Sequence, residues 1–568
     1  MPSPAALKER SPLDLYTVIT SRPMAAYARH LSHVERRAIA EFPTAKSLGD
    51  IAIGAAAIPQ AAYCAHKPNA PLKELDSGWN GWGNGLENMR YPPAARAGLA
   101  AQDVSKIKPK WVFGVPAVAT MSGHPVVADG RLFFGTISGL VVALDAASGC
   151  ALWVFEASTG VRAAPILGKL NDGKINLFFG DLGGNVYAID PNTGSLEWRM
   201  LADEHTHLRI TGAPVYHGNR LYVPLSSLEE VAGAMPDYEC WTFQGAVLSA
   251  DATNGGKIWK RSTLSAPPKK QGMNTLGVQR WAPSGAAIWA VPTLEPTTNS
   301  IYIVTGDSYS DPAAPESDTV MAIAMDTGDV KWVTQTTADY AFTVACMDSS
   351  PESLLACPDS YGPDLDFGAS AVLITKSDGT RLLLAGQKSG WMYALDPNNG
   401  KIIWKTEVGP GGIEGGIEWG FAVDGEKAYV ALSSAFEKGP GEAGGIAALD
   451  LNDGHKIWEV DPHQGTCAAK ERCNTGQLAA VSVIDGAVFS GSLDGSIRAY
   501  DTATGAVLWA YDTARPFDAV NGIDTYGGAL NGPGPAIANG HVYVNSGYGR
   551  WNVFMPGNAL IALRIEGK

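Results

Sequence analysis

Leu140-Val141-Val142-Ala143-Leu144-Asp145-Ala146-Ala147-Ser148-Gly149-Cys150-Ala151-Leu152-Trp153 joins a short β-branched run to an Asp-x-x-x-Gly turn, with a Trp four residues beyond the Gly. The unit recurs as Ala188-Ile189-Asp190…Gly194…Trp198, Asp251…Gly255…Trp259, Asp396…Gly400…Trp404, Asp450…Gly454…Trp458 and Asp501…Gly505…Trp509. Another copy reads as a shortened turn, Ala324-Met325-Asp326…Gly328…Trp332. Apolar runs rich in β-branched and aromatic residues on either side of a turn describe a hairpin, and blade-sized repetition of hairpins describes radially arranged small sheets. The Gly provides turn backbone that a Cβ would obstruct, and the Trp returns on the next strand to wedge between neighbouring blades.

These seven turns account for seven blades. The chain ends supply an eighth: Gly557-Asn558-Ala559-Leu560-Ile561-Ala562-Leu563 repeats the strand before the absent turn, and Lys110-Trp111-Val112-Phe113-Gly114 the Trp strand after it. Their pairing closes the ring without a free edge. The expected fold is therefore all-β, an eight-bladed propeller over residues 77–568. A short helical extension precedes it at 1–48, with a linker at 49–76 rich in Ala, Ile and Pro from Gly49 to Pro71. Leu15-Tyr16-Thr17-Val18-Ile19 and the stretch Leu31 to Phe42 have helical periodicity, and Ser32 with Glu35 forms a capping box.

Composition agrees: 568 residues with 65 Gly, 36 Pro and 16 Trp have the turn density of a large β protein. No apolar run reaches membrane-spanning length. A net charge of −14 argues against nucleic acid or anionic lipid as partner. Seven Cys suggest an oxidising compartment, with Cys346/Cys357 and Cys467/Cys473 read as local disulfides across long loops. The expected location is periplasmic, although Met1-Pro2-Ser3-Pro4 does not open a secretory signal.

The repeats, with Trp79-Asn80-Gly81-Trp82-Gly83-Asn84, Thr305-Gly306-Asp307-Ser308-Tyr309-Ser310-Asp311, Ala385-Gly386-Gln387-Lys388-Ser389-Gly390 and Val544-Asn545-Ser546-Gly547-Tyr548-Gly549, resemble the pyrroloquinoline-quinone (PQQ) dependent alcohol dehydrogenases, in particular the polyvinyl-alcohol dehydrogenase branch. The segment from Leu15 to Phe42 resembles the distal half of the cytochrome c domain that precedes the propeller in that branch, with Met24 where an axial haem ligand would sit. No Cys-x-x-Cys-His occurs, so no haem is expected, and Met24 is read as a packing residue on a remnant.

The resemblance implies PQQ, Ca²⁺ or another hard cation, and a separate electron acceptor such as a cytochrome c or a quinone. It matches Glu229, Asp307 and Asp339 to metal ligands, with Asp339 also the catalytic carboxylate. It matches Lys388 to the cation that supports charge developing on the quinone, and Trp289 to the floor beneath it. Arg162, Thr211 and Ser226 match polar positions that hold its carboxylates and edges. Glu418 stands where relatives often place an amide. Adjacent cysteines, which roof the cofactor in many members, are absent, so another element must form the roof; Gly160-Val161-Arg162-Ala163-Ala164 is the candidate. The implied activity is oxidation of a secondary alcohol to a ketone, the substrate being like polyvinyl alcohol or another bulky alcohol such as a polycyclic toxin. The alternative is a non-catalytic propeller scaffold of the outer-membrane assembly type.

Overall fold

The computed structural model describes residues 7–8, 10–21, 28, 31, 33–48, 52–66, 70–347, 350–439 and 442–565. Eight antiparallel sheets form the blades, spanning 126–156, 166–201, 208–262, 293–335, 372–407, 415–460 and 482–512, with the eighth built from 536–565 and Ile107–Gly114. Within each of the first seven blades the main strands follow one another in chain order. In blade 8 the outermost strand is Ile107–Gly114, registered with Phe113 opposite Leu560, so the chain ends close the ring as the sequence predicts.

Blades stack face to face, which explains why the third strand of each is buried on both faces while the fourth, at the outer edge, is more exposed in most blades. Ala246–Asp251 is buried nearly throughout, whereas Lys257–Ser262 exposes most of its residues. The repeat residues lock each blade to the next. Indole N–H groups donate to the following turn: Trp153 to the Pro191 carbonyl (3.0 Å), Trp332 to Pro397 (3.0 Å) and Trp404 to Leu451 (3.1 Å). The turn Gly lies flat beneath that indole. At Gly400 (φ +74°) a Cβ would stand 2.4 Å from the Trp332 ring, so both backbone conformation and space demand glycine.

Blade 4 corrects one expectation. Its turn is full length: Gly328 N–H donates to the Ala324 carbonyl (2.9 Å) as Gly149 does to Asp145 (2.8 Å), so Ala324, not Asp326, occupies the turn-Asp position. Asp326 instead accepts from Asn299 (2.7 Å). The next carbonyl, Met325, is taken by Tyr222 Oη (3.3 Å), leaving Trp259 Nε1 buried without a partner.

One end of the central channel is closed by residues 78–98, which run from blade to blade along the inner strands. Trp79 exchanges backbone hydrogen bonds with Val127 (2.8 and 2.9 Å), and the side chain of Asn80 does so with Leu167. Leu86, Glu87, Met89, Arg90 and Arg96 then offer carbonyls to Leu294, Leu373, Val423, Val483 and Asn539. At its centre Arg90, 1 % exposed, lies against Trp79 and Trp82 (5.3 and 4.7 Å to the ring centres). It donates to the carbonyls of Trp82, Val481 and Pro533 at 2.7–2.9 Å.

The helices Pro12–Ser21 and His33–Thr44 pack on one another through Tyr16, Ala40 and Leu48. Ser32 of the expected capping box and Met24 lie outside the described residues. From these helices the chain runs down the outer strand of blade 1, Ala151–Glu156. Ala55 N–H donates to Glu156 at one end of that strand, and a Cys64–Cys150 disulfide stands at the other. Cys346–Cys357 and Cys467–Cys473 are also formed, and Cys240 is free and buried. Among the described residues no helix is long and apolar enough to cross a membrane.

Candidate active site

The end of the channel opposite the segment 78–98 holds a chamber of about 840 Å³. Its polar wall includes Arg162, Arg209, Thr211, Trp289 and Arg550; Leu140, Leu182, Leu228 and Val231 are among its apolar walls, and Leu13, Tyr16 and Ile53 reach it from the N-terminal segment. Of the expected residues, Arg162, Thr211 and Trp289 therefore share one cavity. Ser226 stands behind Thr211, with Oγ–Oγ1 at 2.7 Å, and is itself fully buried. The guanidinium of Arg162 lies 4.5 Å from the Trp419 ring centre, and burial lowers its pKa to about 10.

Beside Trp289 lies a cluster of acids. Asp307, Asp318 and Asp366 are buried and present one oxygen each within 4.8 Å of the others. Asp307 follows Gly306, where a Cβ would stand 2.1 Å from Asp366 Oδ1 and 2.8 Å from Trp289 Nε1; the absence of a side chain there lets carboxylate and indole converge. Asp307 N–H donates to Asp366 Oδ1 (2.5 Å), and Tyr340 Oη donates to Asp307 Oδ1 (2.7 Å). Among the described residues, none makes a well-formed hydrogen bond to Asp307 Oδ2, to either oxygen of Asp318 or to Trp289 Nε1. Burial and mutual repulsion hold Asp307 and Asp318 well above the usual carboxylate range, and push Asp366 up to about 6.

Lys388 Nζ donates to Asp364 Oδ1 (2.8 Å), and the pair is buried. Burial works against the Lys388 charge, but Asp364, Glu418 and Asp366 outweigh it and raise its pKa well above normal. Glu418 is raised well above its usual value by burial and by Glu414, and its Oε2 is unpartnered.

Two expected ligands are not brought to the cluster. Asp339 is exposed, in a left-handed turn (φ +66°), while its neighbour Tyr340 points inward to Asp307. Glu229 is fully buried, but its carboxylate is consumed by the loop that follows. It accepts from Tyr238 Oη (3.0 Å), Thr242 N (2.8 Å), Thr242 Oγ1 (3.1 Å) and Phe243 N (2.6 Å). Burial alone would raise its pKa, yet these donors and His205 hold it below normal. The next residue, Glu230, feels Asp366 and Asp364, and burial with their repulsion pushes it up to about 8. The reading of the sequence missed Asp364 and Asp366. Asp364-Leu365-Asp366, two acids one residue apart ahead of Phe367, was the signal.

A profile described as outer membrane protein assembly factor BamB matches residues 74–282 and 388–550, more than half of the chain. A polyvinylalcohol dehydrogenase of Pseudomonas sp. is 36% identical over 503 residues, covering 86% of this chain and 77% of that relative. Another, from Sphingopyxis sp. (strain 113P3), is 36% identical over 525 residues, covering 89% and 79%. The crystal structure of quinohemoprotein alcohol dehydrogenase from Comamonas testosteroni superposes with a TM-score of 0.59 at 18% identity, over 88% of this chain and 81% of that one, which is agreement in fold. The chain belongs to the PQQ-dependent, or quinoprotein, alcohol dehydrogenase family of oxidoreductases acting on CH–OH groups. Within that family its similarity runs to the polyvinyl-alcohol dehydrogenases.

Proposed function

We propose that this protein is a periplasmic, PQQ- and metal-dependent dehydrogenase that oxidises a secondary alcohol to a ketone and passes the electrons to a separate acceptor, a cytochrome c or a quinone. The observation that carries this reading is the set of unpartnered buried atoms beside the chamber: three carboxylate oxygens of Asp307 and Asp318 and the indole N–H of Trp289. Orphaned polar atoms are costly in an apolar interior, and an all-oxygen, anionic donor set suits a hard cation. The residues fit the groups that the family implies. Asp307, Asp318 and Asp366 would hold the metal, with Glu230 near enough to feel the charge of Asp366. Trp289 would give the flat cofactor its floor, and Arg162, Thr211 and Lys388 would hold its polar edge. When bound, PQQ supplies the two-electron acceptor and the metal a Lewis acid that polarises it. Ca²⁺ is the first candidate, and the number of acids favours competition from a hard cation of higher charge.

The chain's own part is to position the alcohol and take its proton. We assign the base to Asp364, whose oxygen is held by Lys388 at 2.8 Å in a buried pair, rather than to the exposed Asp339. The Lys388 ammonium holds Asp364 in place, so the hydroxyl proton passes to a carboxylate already oriented by a hydrogen bond. Glu229 then serves to fix the loop 238–243 through its four donors, leaving Glu230 for the metal.

The test is reconstitution of the full-length protein with PQQ and Ca²⁺, followed by dye reduction on secondary alcohols. Asp364→Asn should lose turnover by about 10³-fold or more while still binding PQQ, and Asp339→Asn should turn over within about twofold of wild type. The reverse pattern would restore Asp339 as the base. A protein that takes up no PQQ with or without metal is a scaffold.

A further inference from the structure

The chamber is partly covered by a part of the chain that belongs to no blade. Leu13 and Tyr16, on the helix Pro12–Ser21, and Ile53 and Ala57 beyond the second helix line it together with rim residues of blades 1 and 2. Tyr16 is 7 % exposed, shared between this wall and the small core it forms with Ala40 and Leu48. The segment is fastened to blade 1 at both ends of one strand, by the hydrogen bond from Ala55 N–H to Glu156 and by the Cys64–Cys150 disulfide. Arg36, on the second helix, is buried, with its guanidinium on the Ala28 carbonyl (2.9 Å) and within the field of Asp181 and Tyr187 of blade 2.

We infer that the helix Pro12–Ser21, with residues 53–57, is the substrate-selecting roof of the chamber, with Leu13 and Tyr16 as the selecting side chains. The inference rests on the reading of the chamber as the alcohol site and names which alcohol it takes. The polar groups, Arg162, Arg209, Thr211 and Arg550, belong to the propeller, while the side chains that the roof adds are apolar or aromatic. A partly covered space of this kind favours a ligand that is compact and mostly apolar, with its hydroxyl turned to the polar wall. A long hydroxylated polymer has the opposite needs: an open groove through which the chain can pass, and polar contacts along its length. The substrate class is thus a compact secondary alcohol of fused-ring size, and the roof excludes the polymer.

The experiment uses full-length wild type, the double variant Leu13→Ala/Tyr16→Ala, and Cys64→Ser/Cys150→Ser, which loosens the tether without altering the chamber wall. Each is loaded with Ca²⁺, its rate of PQQ uptake is followed by cofactor absorbance, and kcat/KM is measured on 2-butanol, a steroid secondary alcohol and a polyvinyl-alcohol oligomer. Wild type should prefer the steroid to the oligomer by about tenfold or more. Both variants should raise the oligomer-to-2-butanol ratio by about tenfold and speed PQQ uptake severalfold, and the cysteine variant should keep kcat on 2-butanol within about twofold of wild type. Wild type that accepts the oligomer as well as the steroid, or folded variants with unchanged ratio and unchanged uptake, would overturn the roof. A protein that takes up PQQ but oxidises none of the three overturns the dehydrogenase reading instead, and the uptake rates still decide the roof.

Discussion

At one end of the central channel, residues 78–98 are stitched to the inner strands by backbone hydrogen bonds and centred on a buried arginine; at the other, the helices 12–21 and 33–44 rest on a small apolar core, one disulfide and a few polar contacts. The first closure uses groups that every blade offers at its edge, so it is part of the fold. The second uses side chains, which can change without disturbing the ring. A barrel-like ring open at both ends thus acquires one face that sets stability and one that sets what may enter.

The largest break of this comparison is Arg90→Met. It strips donors from the carbonyls of Trp82, Val481 and Pro533 in a dry interior and should cost about 3–5 kcal/mol, read as a drop in thermal midpoint. Leu13→Ala at the other end should cost about 1 kcal/mol. Equal losses at both ends would remove the distinction.

Between the two ends, the acid cluster should make the metal-free protein weaken as pH rises. Glu230, pushed up to about 8, and Asp366, up to about 6, keep protons that the unfolded chain has already released. Stability therefore falls between about pH 4.5 and pH 8, because over that range the native state binds more protons than the unfolded one. A bound cation replaces those protons and should flatten the slope. Scanning calorimetry at pH 5, 6.5 and 8, with chelator and then with Ca²⁺, reads both effects; a midpoint that climbs with pH under chelator contradicts the assignment.

The smallest effect sharpens what holds the ring itself. Trp404→Phe discards an indole hydrogen bond to Leu451, whereas Trp259→Phe discards none, so the second should be about 1 kcal/mol milder. Urea midpoints of the two variants decide it.

The ring was legible in the sequence because its determinants are local: an Asp, a Gly and a Trp at fixed spacing encode one turn and one blade contact. Where a local mimic intruded, the reading slipped. Asp326 looked like the turn residue only because Ala324 does the same backbone work without a side-chain oxygen. The part of the candidate site that the structure brings together was legible for the same reason. Trp289, Asp307 and Lys388 sit on or beside blade strands whose register the repeats determine. Asp364 and Asp366 sit at the end of the loop between blades 4 and 5, where no repeat applies, and Asp339 drew the assignment one residue away from Tyr340, the side chain that does turn inward. Glu229 and Glu230 show the same limit: neighbours on one helical turn point about 100° apart, and only the donors around them reveal which carboxylate is already occupied.

Blade 8 carries a consequence for synthesis. Its second and third strands, His541–Ser546 and Ala559–Ile565, leave the ribosome last, yet the third is the partner for which Ile107–Gly114 waits from early in translation. Until then the nascent chain holds an unpaired strand carrying Trp111 and Phe113, the kind of edge that invites intermolecular pairing. A premature stop anywhere after blade 7 would leave nearly the whole site in place with the ring unsealed, and such a product should be cleared or aggregate rather than persist as a slightly shorter enzyme.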